Sequence, residues 1–234
     1  MNELENSLSE IEKLSRELTS IDLEGYELIW DDINIVLGIA SDNRINDRII
    51  NSFMMVWLKS SIPEGGPTVC DSYTLTMFLL IKESESCAKI RALGAFQRLV
   101  KNPATIMPVL VGKEILGGTT DHWVLILFRD ITPTGSETKR YIIESYDSFI
   151  TPNDASGNYI VSIFQLINLH LNNSFELIHI RRNSFQQKEL ECGWYVMINA
   201  ISIVKDCSLF EFSCIQRDLR YYLVNYYLGF VERN

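Results

Sequence analysis

The chain has 234 residues, 47% of them apolar and 22% charged, which suits one sizeable hydrophobic core and argues against dominant disorder. Its formal net charge is −9, from 30 acidic and 21 basic residues, and no Lys/Arg cluster is long enough to follow a phosphate backbone, so nucleic acid is not expected as a partner. No uncharged apolar run reaches the length of a membrane span and the N-terminus lacks a basic-then-apolar leader pattern, so neither a membrane anchor nor a classical export signal is expected.

The five cysteines, Cys70, Cys87, Cys192, Cys207 and Cys214, are odd in number, widely spaced and free of Cys-x-x-Cys pairs. Reduced thiols in a cytosolic compartment fit this pattern better than a disulfide framework or a zinc site. Neither a metal nor any other cofactor is expected.

Leu4, Leu8, Ile11, Leu14 and Leu18 fall three or four apart and predict an amphipathic helix over 3–19 with a mainly acidic polar face. It is set apart as an N-terminal extension, 1–24, from one larger domain, 25–234. Residues 20–27 read as a turn leading into a short helix that Asp31 or Asp32 would cap and that carries Ile33, Val36 and Leu37. After a break at 41–43, residues 44–62 form a helix capped by Asn46 or Asp47, with Ile49, Ile50, Phe53, Met54 and Trp57 on its apolar face. The PEGGP run at 63–67 ends it. Residues 71–81 are apolar but ambiguous in period between helix and strand, and 84–101 read as a helix packed through Ala88, Leu93, Phe96 and Leu99.

Sheet signals begin after Pro103. Residues 105–111 form a strand whose Pro108 suggests an edge or a bulge. The stretch 112–120 reads as a loop, 122–128 as a buried strand, 129–139 as an exposed turn-rich connection, and 141–147 as the neighbouring antiparallel strand. A helix at 158–171, a strand at 175–180, a helix at 192–204 and a terminal helix at 209–230 complete an α+β order.

The chemistry is organised around residues 186–200, QQKELECGWYVMINA. Cys192 opens an apolar helix, where unpaired backbone N–H groups and the helix dipole stabilise a thiolate. A thiol nucleophile needs an imidazole base, and the imidazole benefits from a carboxylate on its other nitrogen. Of three histidines, His170 reads as a helix-flank residue and His179 as a strand core or rim residue. His122 stands where a strand emerges from a Gly-rich rim and is the expected base. Asp147 and Glu144 compete as the carboxylate; three apart on one strand, they face opposite ways, and Asp147 at the strand end is preferred. Asp121, adjacent to His122, would point away from it. An oxyanion would be met by the Cys192 backbone N–H and by a side-chain amide from Gln186 or Gln187. Trp123 reads either as a core aromatic or as a wall beside the imidazole and the substrate channel.

The order HW, then YDS, then Q-x5-C-G resembles the Ulp1/SENP family of ubiquitin-like-protein proteases, within the wider clan of adenain-like cysteine peptidases. His122, Trp123, Asp147, Gln186 and Cys192 match the family's base, the tryptophan after it, the carboxylate, the oxyanion-hole glutamine and the nucleophile. Gly193 follows as in the family's Asp-Cys-Gly, with Glu191 in place of the aspartate. RINDRIINSFM resembles the family's Trp-Leu-Asn-Asp helix start, with Arg44 and Ile45 where Trp and Leu are usual and with Asn46 and Asp47 retained. The resemblance spans about residues 30–225.

It implies a papain-like fold with a central mixed sheet flanked by helices, His and Asp on the sheet and Cys at a helix N-terminus. It also implies that 25–234 is the catalytic domain of a thiol isopeptidase, with Trp123, Asp47 and Gly193 as substrate contacts. The expected partners are ubiquitin or a relative such as SUMO or NEDD8 and their conjugates, bound by a monomer in the cytoplasm or nucleus, or in a host cell after non-classical delivery by a pathogen. Rival readings are a polyprotein-processing protease, a YopJ-like acetyltransferase using a similar triad, and a non-catalytic binding module on the same scaffold. The last fits poorly with four polar positions kept together.

Overall fold

The computed structural model describes residues 20–23, 25–37, 44–116, 121–148, 154–183, 191–206, 219, 220, 223, 225 and 226. The expected helix at 3–19 and most of the one at 209–230 lie outside the described residues. The chain divides into two compact units, Ser61–Gln187 and the combination of Met1–Ser60 with Lys188–Asn234.

In the second of these, residues 20–29 form a hairpin rather than the expected turn. Ser20–Leu23 (β1) pairs antiparallel with Tyr26–Ile29 (β2). Gly25, at φ +91, makes the reversal, and its N–H donates to Asp22 Oδ1 at 2.7 Å. Helix α1 (Trp30–Leu37) follows at once, so Asp31 and Asp32 lie within its first turn instead of before it. The carboxylate of Asp32 is fully buried and reaches back to accept the Ile29 N–H at 3.0 Å. It also accepts from Asn46 Nδ2 and from Arg48 Nε at 2.7 Å, so one side chain ties the hairpin to the start of the next helix.

That helix, α2 (Asp47–Ser52), is capped by Asn46, whose Oδ1 accepts the Ile49 N–H at 3.1 Å. It continues into a π-helical stretch, Phe53–Leu58, and a last turn, Lys59–Ser61. The wider π turn rotates the buried face: Val56 and Leu58 join Phe53 and Met54 inside. Trp57, expected on the buried face, is half-buried and stacks on Phe53 at 5.0 Å between ring centroids.

Unit Ser61–Gln187 holds a five-stranded mixed sheet. Its elements are β3 (Thr68–Val69), α3 (Thr74–Leu79, extended by a 3₁₀ turn at Leu80–Lys82), α4 (Ser86–Leu99), β4 (Ala104–Val111) and α5 (Lys113–Leu116). After these come β5 (His122–Asp130), β6 (Lys139–Asp147), α6 (Ala155–His170) and β7 (Phe175–Asn183). The strand order is β3-β4-β5-β6-β7; β4, β5 and β6 alternate antiparallel, whereas β3 runs parallel to β4 and β7 parallel to β6. The ambiguous 71–81 stretch is thus helical, because Leu75, Phe78 and Ile81 pack on the sheet at helical spacing.

Pro108 fits its strand for a specific reason. Cys70 N–H donates to the Ile106 carbonyl at 2.9 Å, so even-numbered residues of β4 turn their backbone polar groups toward β3. That strand pairs only with Thr105 and Ile106, and the missing N–H of Pro108 falls beyond its end.

One face of this sheet carries the core. Met107, Val109 and Val111, Val124, Ile126 and Phe128, and Tyr141 and Ile143 alternate inward against Phe78, Phe96, Ile160, Ile163, Phe164 and Ile167 of the helices. Phe128 stacks on Phe164 at 5.6 Å and Phe96 on Phe175 at 5.2 Å. Each such ring contributes about 2–3 kcal/mol through burial.

In the other unit, α7 (Cys192–Lys205) is buried on nearly every side, including Trp194, Val196, Met197, Ile198, Ala200 and Ile201. It packs against the π-helical stretch. A helix apolar all round needs such an interior position.

Candidate active site

His122 opens β5 and Asp147 closes β6. The antiparallel register pairs Leu125 with Tyr146 and Ile126 with Ser145; carried one step further, it sets Asp147 on the face of Val124, diagonal to His122. His122 Nε2 lies 2.8 Å from Asp147 Oδ1, with the two residues 5% and 1% exposed. An ionised carboxylate only accepts, so Nε2–H donates and proton exchange falls to Nδ1. The diagonal pair is the geometry that fixes an imidazole's tautomer and plane.

The competing carboxylate is elsewhere. Glu144 turns to the opposite face, 2% exposed, where it is ion-paired with Arg129 and accepts from Arg182 Nε at 2.8 Å. Asp121 accepts the Lys113 N–H at 2.9 Å and so begins α5. His170 is exposed in the last turn of α6, whereas His179 Nε2 sits 2.8 Å from Ser145 Oγ on β6. Burial lowers the proton affinity of His179; Asp154 opposes that effect and Arg181 adds to it. Trp123 is 6% exposed, and strand alternation turns it to the face of Leu110 and Leu125, away from that of the imidazole.

Behind Asp147 lies a polar group that sequence reasoning missed. Asp147 Oδ2 accepts from the hydroxyl of Ser156, a fully buried residue in the first turn of α6. Arg181 Nη2 approaches the same oxygen at 4.0 Å, and Arg181 Nη1 pairs with Asp154 Oδ1 at 3.1 Å. The missing signal is topological: β7 pairs parallel to β6 with Arg181 opposite Ser145, and nothing local in FELIHIRRN announces that register.

In the other unit, Cys192 is the first residue of α7 and 7% exposed. Its thiol therefore stands at the positive end of a 14-residue helix dipole. Gly193 serves packing: a Cβ there would collide with Cβ of Ile45. The guanidinium of Arg220 lies 4.9 Å over the ring of Trp194. Burial makes Arg220 easier to deprotonate than usual, an effect that the charge of Glu191 opposes. Asp47 occupies the first turn of α2, half-buried. Gln186 and Gln187 lie outside the described residues. Among the described residues, no three His, Cys, Asp or Glu side chains cluster as metal ligands would.

No protein-family model matches the chain, and no curated protein matches it. Solved structures do. The SUMO protease Ulp1 with its catalytic cysteine oxidised to a sulfenic acid matches at a TM-score of 0.64 and 18% identity, over 96% of this chain and 94% of that one. The C-terminal Ulp1 protease domain in complex with Smt3, the yeast orthologue of SUMO, matches at 0.60 and 19% identity over 94% of each chain. A de-sumoylating protease matches at 0.57 and 13% identity, over 92% of this chain and 93% of that one. With its mixed sheet, its His–Asp pair on adjacent strands and a cysteine opening a buried helix, this chain has the fold of the Ulp1-type cysteine protease domain.

Proposed function

We propose that the chain is a cysteine isopeptidase of the Ulp1/SENP type, cleaving after the C-terminal glycine of ubiquitin or a ubiquitin-like modifier. The observation that carries this reading is the buried His122–Asp147 pair, at 2.8 Å on adjacent strands, in a fold shared with Ulp1. Cys192 at the head of α7 supports it from the other unit.

In the proposed reaction His122 takes the Cys192 thiol proton through Nδ1, while Asp147 steadies the imidazolium through Nε2. The thiolate attacks the carbonyl carbon after the terminal glycine. The oxyanion that forms is met by the Cys192 backbone N–H and the Gln186 amide, each donor worth about 3 kcal/mol in such sites. Collapse breaks the C–N bond, His122 protonates the leaving amine, and water hydrolyses the thioester to regenerate the thiol.

A panel of ubiquitin, SUMO and NEDD8 probes carrying a C-terminal electrophile tests this. At least one is expected to label the wild type and none to label Cys192→Ala. On the matching fluorogenic substrate, Asp147→Asn is expected to lower kcat by about 100-fold or more. Wild-type activity that survives in Cys192→Ala would overturn the reading.

A further inference from the structure

We propose that Ser156 and Arg181 are positioning residues for His122: Ser156 holds the far oxygen of the Asp147 carboxylate by a hydrogen bond, and Arg181, 4.0 Å from that oxygen, offsets part of the charge which the carboxylate presents to the imidazole. This deepens the proposed function and rests on His122 as its base. Asp147 uses its two oxygens differently. Oδ1 meets His122 Nε2 at 2.8 Å, whereas Oδ2 accepts the Ser156 hydroxyl and faces Arg181 Nη2 at 4.0 Å. A carboxylate held at one oxygen alone can swing about its Cβ–Cγ bond. Held at both, its plane is set, and so is the imidazole that donates to it.

Arg181 is itself anchored. Its other amino group meets Asp154 Oδ1 at 3.1 Å, and Asp154 takes a left-handed backbone conformation, φ 53, at the head of α6. The packing there is tight: a Cβ on Gly157 would stand 2.6 Å from Asp154 Oδ2 and 2.7 Å from His179 Cε1. Three elements thus converge behind the base, with Asp147 from β6, Arg181 and His179 from β7, and Asp154 and Ser156 from the start of α6. Asp121, the residue before the base in the chain, accepts the Lys113 N–H. Among the described residues, Arg181 brings a cation to within 4.0 Å of the carboxylate of the pair. Removing its charge leaves Asp147 a stronger hold on the imidazolium, and removing Asp154 does the opposite.

The experiment uses the full chain with Cys192→Ala, which uncouples the thiol, and follows the His122 ring by NMR across pH with labelled histidine. Arg181→Gln is expected to move the His122 titration midpoint upward by on the order of half a pH unit, and Arg181→Lys to restore most of it. Asp154→Asn is expected to move it downward and serves where Arg181→Gln does not fold. With Cys192 restored, Arg181→Gln and Ser156→Ala are expected to lower kcat by about 10-fold at unchanged KM, the scale of residues that orient a reacting group from behind. A midpoint that does not move in either charge variant overturns the proposal. So does an unchanged kcat in both Arg181→Gln and Ser156→Ala on a substrate the wild type cleaves. A wild type inactive on every modifier, with the midpoint still shifting, would remove the proposed function and leave the positioning role supported.

Discussion

His179 is harder to protonate in the fold than in an unfolded chain, chiefly through burial, with the charge of Arg181 acting in the same direction and Asp154 against both. The sign of its linkage to stability follows. Well above the unfolded value near 6.5 both states hold a neutral imidazole. As pH falls through that value the unfolded chain gains a proton that the folded chain resists, so stability declines until the folded histidine also protonates. His179→Gln keeps a polar partner for Ser145 Oγ, which lies 2.8 Å from the ring in the wild type, but cannot titrate. Urea midpoints measured between about pH 7.5 and 5.5 should therefore fall less steeply in His179→Gln than in the wild type. Parallel slopes would show that this imidazole is not linked to folding. The same residue illustrates why three histidines separate in role: one donates to a buried carboxylate, one to or from a serine, and one meets solvent at a helix end.

Among the elements, α7 shows how closely the nucleophile's helix is fitted. A methyl group on Gly193 would meet Ile45 at its Cβ, with Cγ2 at 3.0 Å behind. Gly193→Ala is expected to cost about 1–3 kcal/mol in denaturant unfolding, the usual range for overpacking. Because the nearest atom is a β-carbon, Ile45→Ala should not relieve it. A double variant as stable as Ile45→Ala alone would show that α7 can shift to make room. This contact also marks where the sequence was legible. Alternation along HWVLILF and IIESYD separates Asp147 from Glu144, and the Cys-Gly step before an apolar run marks the head of α7, since both are local patterns. Ser156, Arg181 and Asp154 depend on α6 returning the chain to pair β7 parallel with β6, a long-range outcome that no short pattern carries. The hairpin at 20–29 was within reach, because Asp22 and Gly25 form a turn between alternating residues. Its two four-residue strands are too short for alternation to distinguish them from a plain turn. The π-helical stretch at Phe53–Leu58 has no such signal, because FMMVWL suits an ordinary helix equally well.

At the scale of the whole molecule, the base is built on the best-supported part of its unit. Strand β5 is paired along most of its length with β4 on one side and β6 on the other, and β6 with β5 and β7. Their inward residues Val124, Ile126, Phe128 and Ile143 are all fully buried. Strand β3, by contrast, pairs through two residues, and the reversal at Gly25 lies exposed in the other unit. Amides in the middle of β5 and β6 can open only when both neighbouring ladders and the core beneath them separate, so their exchange should follow global unfolding. Native-state hydrogen exchange in rising denaturant is expected to show Ile126, Phe128 and Ile143 with the highest opening free energies and a denaturant dependence equal to that of global unfolding. Val69 and Gly25 should open at lower free energy with weaker dependence. If Ile126 or Ile143 exchanged through small local openings, the strands would not be the rigid mount that a fixed His122–Asp147 geometry requires. Preorganisation would then have to come from the Ser156 and Arg181 contacts alone. Global exchange in these strands, together with an unshifted pattern in Arg181→Gln, would instead place the contribution of Arg181 in charge and side-chain orientation, with the backbone already set by the sheet.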